Sequence, residues 1–192
     1  MVICNVAILV SGKGTNALNI IEYFEKKNFV HISVLISNNA SSLAVKKAQK
    51  KGVNSFVFNN DWFKKKNVFL NFLASKNINF IVLAGFLQKL SAEVTKTYKN
   101  KIINLHPSLL PRFGGKGMYG AHVHRAVIES GEKETGISIH FVNEEYDKGV
   151  LIYQHKIDVS RKETITSLSK KIQKIEHQFF PKIIEKTILN TF

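Results

Sequence analysis

The sequence predicts an α/β protein: one doubly wound, mostly parallel sheet with helices on both faces, of Rossmann-like type. Three observations carry this. Short apolar, β-branched runs alternate with stretches of helical periodicity along most of the chain. A glycine-containing turn, Ser11-Gly12-Lys13-Gly14-Thr15-Asn16, directly follows the first run. A length of 192 residues, 44% of them hydrophobic, suits one sizeable core, so residues 1–192 are expected to form a single domain.

Residues 2–10 (VICNVAILV) are nearly continuously apolar, as in a strand covered on both faces. The glycine turn ends it, and Leu18, Ile21, Tyr23 and Phe24 follow at helical spacing over 17–27. Strand, flexible turn and helix start together offer backbone N–H groups and a positive dipole end to an anion. The turn also fits the dinucleotide pattern G-x-G-x-x-A. That pattern requires a carboxylate at the end of the second strand, whereas the run 31–36 ends in Ser37-Asn38-Asn39. A Walker A loop fails too, since no Gly-Lys-Ser/Thr follows. Two readings stay open at this point: a phosphate monoester held by Gly14, Thr15 and Asn16, or a purely structural tight turn.

The next elements are expected as a helix over 41–51, a strand over 53–58 and a helix over 61–75, the last capped by Asp61 with its aromatic residues in the core. A buried strand over 79–83 leads into Ala84-Gly85-Phe86-Leu87-Gln88-Lys89-Leu90, and a helix over 91–98 follows. In a parallel sheet the 84–90 segment lies beside the end of the next strand, where ligands bind.

That strand ends in Asn104-Leu105-His106-Pro107-Ser108-Leu109-Leu110-Pro111, which holds two of the three prolines. Proline fixes its own φ and restricts the residue before it, so His106 and Leu110 have little backbone freedom. By itself Asn-x-His is compatible with a simple turn. The loop 112–120 contains four of the eleven glycines and is either a lid or a long connection. It ends in His122-Val123-His124-Arg125, which opens a helix to Ser130; of the two histidines, His124 is expected to pack. Residues 135–142 alternate, with Ser138 and His140 on a polar face. The acidic turn Asn143-Glu144-Glu145-Tyr146-Asp147-Lys148-Gly149 precedes a returning strand over 150–157. A final helix over 164–189 places Gln173 and Glu176 on one face.

These residues resemble the folate-dependent formyltransferases, and the order of motifs matches over nearly the whole chain. The resemblance implies formyl transfer from 10-formyl-tetrahydrofolate, as co-substrate, to the primary amine of glycinamide ribonucleotide in purine synthesis. It implies Asn104, His106 and Asp147 as the catalytic trio. It implies substrate contacts at Gly14, Thr15, Asn16, His122, Gln173 and Glu176. Folate contacts would come from Leu87, Gln88, Lys89, Leu90 and Asn104, and from Asn143, Glu144, Glu145, Tyr146 and Asp147. It further implies a cis peptide between Leu110 and Pro111. Asp147 beside His106 would be expected to raise the imidazole's pKa above about 6.5. One departure stands out, because relatives carry an arginine near the folate early in the third helix, where this chain has Lys64, Lys65 and Lys66.

Composition narrows the partners. The net charge of +14 invites a nucleic-acid reading, but arginine occurs only at 112, 125 and 161 and the other basic residues are lysine. The guanidinium fork that clamps phosphates and reads bases is scarce, so the charge reads as a solvated surface with no specific nucleic-acid partner. Cys4 is the single cysteine, which excludes an internal disulfide and fits a reducing cytosol. No run approaches the roughly 20 apolar residues of a membrane span, and the N-terminus lacks a basic signal region. No metal is expected, for want of a Cys/His cluster. Related activities remain as alternatives. The methionyl-tRNA enzymes usually add a C-terminal domain and the formyl-folate hydrolases an N-terminal one, and neither is expected from this chain's length. A non-enzymatic nucleotide-binding module would need the loop but not the trio.

Overall fold

The computed structural model describes residues 3–64 and 67–192. Their strands form one seven-stranded sheet in the order β3-β2-β1-β4-β5-β6-β7. In chain order the elements are β1 (Cys4–Val10), α1 (Thr15–Phe24), β2 (Val30–Ser37), α2 (Leu43–Lys50), β3 (Ser55–Val57), α3 (Asn60–Lys64) and α4 (Val68–Ser75). There follow β4 (Phe80–Leu83), α5 (Ala92–Thr97), β5 (Ile102–His106), α6 (Ala121–Glu129), β6 (Glu134–Phe141), β7 (Leu151–Asp158) and α7 (Ile165–Thr191). β1 to β5 pair in parallel, while β6 and β7 join antiparallel to their neighbours.

The side-chain alternation of β1 explains why its sequence is apolar throughout. Val6, Ile8 and Val10 pack on one face with Ile20 of α1 and with Ile172 and Phe180 of α7. Ala7 and Leu9 pack on the other with Phe63, Phe69 and Leu73. Residues 6–10 are all fully buried, so a polar residue there would lose its water on either side. Helices therefore cover both faces, as the sequence predicted.

One expected helix is different. Residues 61–75 form two short helices, α3 and α4, with Asn67 between them in the left-handed region at φ 64°. Asp61 is not the N-cap: the Asn59 side-chain oxygen accepts from the Trp62 N–H at 3.0 Å, and Asp61 sits in the first turn. Both residue types cap well, and the start of the turn fell two positions earlier than the aromatic pattern suggested. Phe63, Phe69 and Leu73 are buried as expected. Of the three lysines here, Lys65 and Lys66 lie outside the described residues.

α7 begins with a capping box, in which the Thr164 hydroxyl accepts from the Ser167 N–H and the Ser167 hydroxyl accepts from the Thr164 N–H. It then runs through Pro181. Proline has no N–H to give the carbonyl four residues back, which is that of His177. The Asn19 side-chain amide of α1 donates to that carbonyl at 2.8 Å, so the missing bond is supplied by the helix packed alongside. Among the described residues no helix is long and apolar enough to cross a membrane.

Candidate active site

Parallel strands β1 and β4 lie side by side although β2 and β3 separate them in sequence, so the chain changes direction there and leaves a crevice at the strands' carboxyl ends. A cavity of about 760 Å³ opens at this point. Its floor is made by the end of β5. Asn104 pairs with Leu83 of β4 on one side and stands opposite His140 of β6 on the other; His106 stands opposite Ser138. Directly opposed residues of antiparallel strands share a face, so Asn104 and His140 project together.

The turn after β6 brings in the carboxylate. Asp147 holds φ at 55°, and Gly149 passes so close to β6 that a Cβ there would lie 1.7 Å from the Phe141 carbonyl oxygen. Asp147 Oδ2 accepts from the Gly115 N–H at 2.8 Å and lies 3.5 Å from His106 Nδ1. Asn104 Nδ2 donates toward Asp147 Oδ1 at 3.4 Å and lies 3.1 Å from His140 Nε2. His140 Nδ1 is 2.8 Å from the Phe141 carbonyl, which can only accept, so Nδ1 carries a proton, while Nε2 lies 3.1 Å from Asn104 Nδ2 and 3.6 Å from Asp147 Oδ1.

Beneath this the proline-locked turn is pinned from outside. The buried Ser138 hydroxyl donates to the Ser108 carbonyl at 2.6 Å and accepts from the Leu110 N–H at 2.9 Å. The Gln154 amide donates to the Leu110 carbonyl at 3.0 Å. The Leu110–Pro111 peptide is cis, as expected. The glycine-rich segment then folds back over the trio, and the Phe113 carbonyl accepts from His106 Nε2 at 2.7 Å.

The electrostatics correct one expectation. His106 is 3% exposed, and burial holds its pKa below 6.5; Asp147 and the Phe113 carbonyl favour the charged form but do not overcome that, and His140 opposes them. The expected elevation weighed the ion pair without the desolvation, which is the larger effect here. The Phe113 carbonyl can only accept, so His106 Nε2 carries a proton whether the ring is neutral or charged. Burial also pushes the Asp147 carboxyl up, but His140, His106 and the Gly115 N–H together outweigh it and hold the group below the usual carboxylate range.

The remaining predicted residues divide. Asn16, Leu87, Gln88, Lys89, Leu90, Asn143, Glu145, Tyr146, Gln173 and Glu176 line the same cavity. Gln173 donates to the Thr15 hydroxyl at 3.0 Å and the Asn16 amide donates to Glu176 at 2.9 Å, so α7 is tied to the start of α1. Burial pushes the Glu176 carboxyl up, with the Asn16 amide opposing. Gly14 caps α1 at φ 68°, where a Cβ would lie 2.2 Å from Ala44 Cβ. Glu144 points away from the cavity, 3.6 Å from Lys96. His122 is exposed on α6, edge-on to Tyr119, and does not line the cavity.

Two histidines that line the cavity were not assigned to the site from the sequence. His124, expected to pack, is 4% exposed and does reach the cavity; its Nδ1 has no hydrogen-bond partner, and burial and the nearby His106 hold its pKa below 6.5. His140 was visible as a member of a polar strand face, a signal that in an exposed strand would mean only solvent. Among the described residues no group of three or more His, Cys, Asp and Glu side chains is arranged to hold a metal ion.

A doubly wound sheet with a glycine turn before α1, and an amide, an imidazole and a carboxylate converging at the strand ends, places this chain in a class of α/β proteins with a polar crevice at the carboxyl ends of the strands. The chain belongs to the formyl transferase family, whose model matches residues 4–184. It is 31% identical over 185 residues to the phosphoribosylglycinamide formyltransferase of Haemophilus influenzae, matched over 94% of this chain and 85% of that protein. It is 35% identical to the chloroplastic phosphoribosylglycinamide formyltransferase of Vigna unguiculata, over 93% of this chain. The chain spans 59% of the length of that plant protein. It also spans 18% of the trifunctional purine biosynthetic protein adenosine-3 of Gallus gallus, at 35% identity. The crystal structure of phosphoribosylglycinamide formyltransferase from Bacillus halodurans superposes with a TM-score of 0.86 at 29% identity, over 95% of this chain and 94% of that one.

Proposed function

We propose that this chain transfers a formyl group from 10-formyl-tetrahydrofolate to the amine of glycinamide ribonucleotide, a step of purine biosynthesis. The observation that carries the reading is the convergence of Asn104, His106 and Asp147 on one wall of a cavity that also reaches Asn16 and the 87–90 segment. The substrate's phosphate is assigned to the N–H groups of Gly14, Thr15 and Asn16, with Gln173 and Glu176 near its sugar. The folate is assigned to the segment Leu87–Leu90 and to the turn around Asn143, Glu145 and Tyr146. A reducing, cytosolic setting belongs to the same proposal.

The amine nitrogen attacks the formyl carbon, forming a C–N bond while the carbonyl π pair moves to oxygen. Collapse of the tetrahedral intermediate breaks the bond to N10 of the folate, which takes up a proton as the amine loses one. Asn104 Nδ2–H and His106 Nε2–H are the donors for the developing oxyanion, and such preorganised donors act strongly where water is excluded. The Phe113 carbonyl occupies the His106 donor, so a substrate oxygen must replace it. Asp147, ionised at neutral pH, is placed to accept the proton that the amine loses.

Purified chain supplied with 10-formyl-tetrahydrofolate should formylate glycinamide ribonucleotide, with methionyl-tRNA and water as poor acceptors. Fast formylation of the tRNA would move the assignment to that class, and turnover without any amine would make the protein a hydrolase. Weak tRNA association through the lysine-rich surface should show a steep salt dependence.

A further inference from the structure

Ser11 lies between the two halves of the cavity, and each of its polar groups is committed. Its N–H donates to the Gly85 carbonyl at 3.0 Å, and its carbonyl accepts from the Asn39 side-chain amide at 3.2 Å. Its hydroxyl donates to Asn38 Oδ1 at 2.6 Å and accepts from the Leu87 N–H at 2.9 Å. The next residue, Gly12, accepts at its carbonyl from the Ser42 hydroxyl at 2.9 Å. Ser11 is 8% exposed and lines the cavity with Gly12 and Leu87.

The direction of this chain of bonds is fixed. Asn38 Oδ1 can only accept and the Leu87 N–H can only donate, so the single hydroxyl proton has one place to point. Polarised in series, the bonds strengthen one another. The residue that starts the anion loop thereby holds the first amide of the segment assigned to folate.

We propose that Ser11 is a positioning residue through which the anion loop and the Leu87–Leu90 segment are energetically coupled, so that a phosphate-bearing ligand on the loop tightens binding of the folate, and the reverse. An anion on Gly14 to Asn16 orders residues 12–14 and, through Ser11, the Leu87 amide; the second ligand then meets a segment whose ordering is already complete. Coupling between sites is reciprocal and commonly amounts to about 5- to 150-fold in affinity. The inference rests on the substrate assignment above.

The test is calorimetry on the full chain with two probes that cannot react together, 5-formyl-tetrahydrofolate and ribose 5-phosphate. Each should bind alone, and saturating ribose 5-phosphate should tighten folate by about 5-fold or more. Ser11→Ala should still bind each probe while the ratio of affinities falls toward one. Asn38→Ala, which removes the outer acceptor and frees the hydroxyl to turn, should also lower the ratio and serves where Ser11→Ala does not fold. A ratio of one in the unmodified protein overturns the coupling and leaves the substrate assignment standing. An undiminished ratio in both variants removes Ser11 from the path. Failure of either probe to bind the unmodified protein overturns the coupling together with that part of the substrate assignment.

Discussion

Asp147 illustrates how much of this site depends on single backbone conformations. A non-glycine residue at φ 55° is uncommon, and aspartate is among those that tolerate it best. Held there, its two oxygens divide between Asn104 on one side and His106 with the Gly115 N–H on the other. Because burial is the dominant influence on His106, nuclear magnetic resonance titration should find this histidine below 6.5, and Asp147→Asn, which removes a favourable charge, should move it lower still. A value above 6.5 would mean that the ion pair, and not desolvation, governs the ring. Asn104→Ala removes one donor to the oxyanion, for which turnover should fall by about 100- to 1000-fold with little change in the melting temperature. A loss of less than about tenfold would show that the amide is not directed at the reacting oxygen.

At the level of elements, α1 and α7 form a unit that the active site depends on. Gln173 and Glu176 reach Thr15 and Asn16 only because α7 lies alongside α1, and Asn19 compensates the interruption at Pro181. Asn19→Leu leaves the His177 carbonyl without its donor in the packed interface, which should cost about 1–3 kcal/mol in denaturant unfolding. Replacing Pro181 by alanine in the same background restores an N–H at that turn, and should recover part of the loss. An Asn19→Leu variant as stable as the parent would show that solvent satisfies the carbonyl. Thr164→Ala, at the start of α7, breaks the capping box for about 1 kcal/mol and should leave formyl transfer intact, because neither Thr164 nor Ser167 lines the cavity.

Across the whole molecule, three histidines that folding draws partly or wholly out of water contribute to the acid side of stability. His106, His124 and His177 have folded-state pKa values below 6.5, each with burial as the first cause. Unfolded chains take up protons at these positions before the folded one does, so their contribution is complete above about pH 6.5 and is lost as the pH falls through the folded values. Glu176, whose pKa is raised, acts in the opposite sense over its own range. A comparison isolates one residue: the melting temperature of the parent relative to His124→Gln should fall between about pH 7 and pH 5, since the variant cannot take up that proton in either state. Parallel curves would show that His124 takes up its proton equally readily in the folded and the unfolded chain.

The sequence by itself determined the sheet, the two faces of helices and the place of the crevice, because a strand buried on both sides, a glycine turn and helical periodicity are local properties of the chain. It also placed Asn104, His106 and Asp147 through the resemblance their motifs carry. Only the tertiary structure decided which neighbours complete them. The antiparallel register of β5 and β6 makes His140 a partner of Asn104, and the burial of His124 turns an expected packing residue into part of the cavity wall. His122, matched by motif, faces outward, because two residues along a helix change direction by about 200° and no local pattern says which of two histidines faces inward. The protonation of His106 was likewise beyond sequence, since it is a balance between desolvation and nearby charge, and both come from residues distant in the chain.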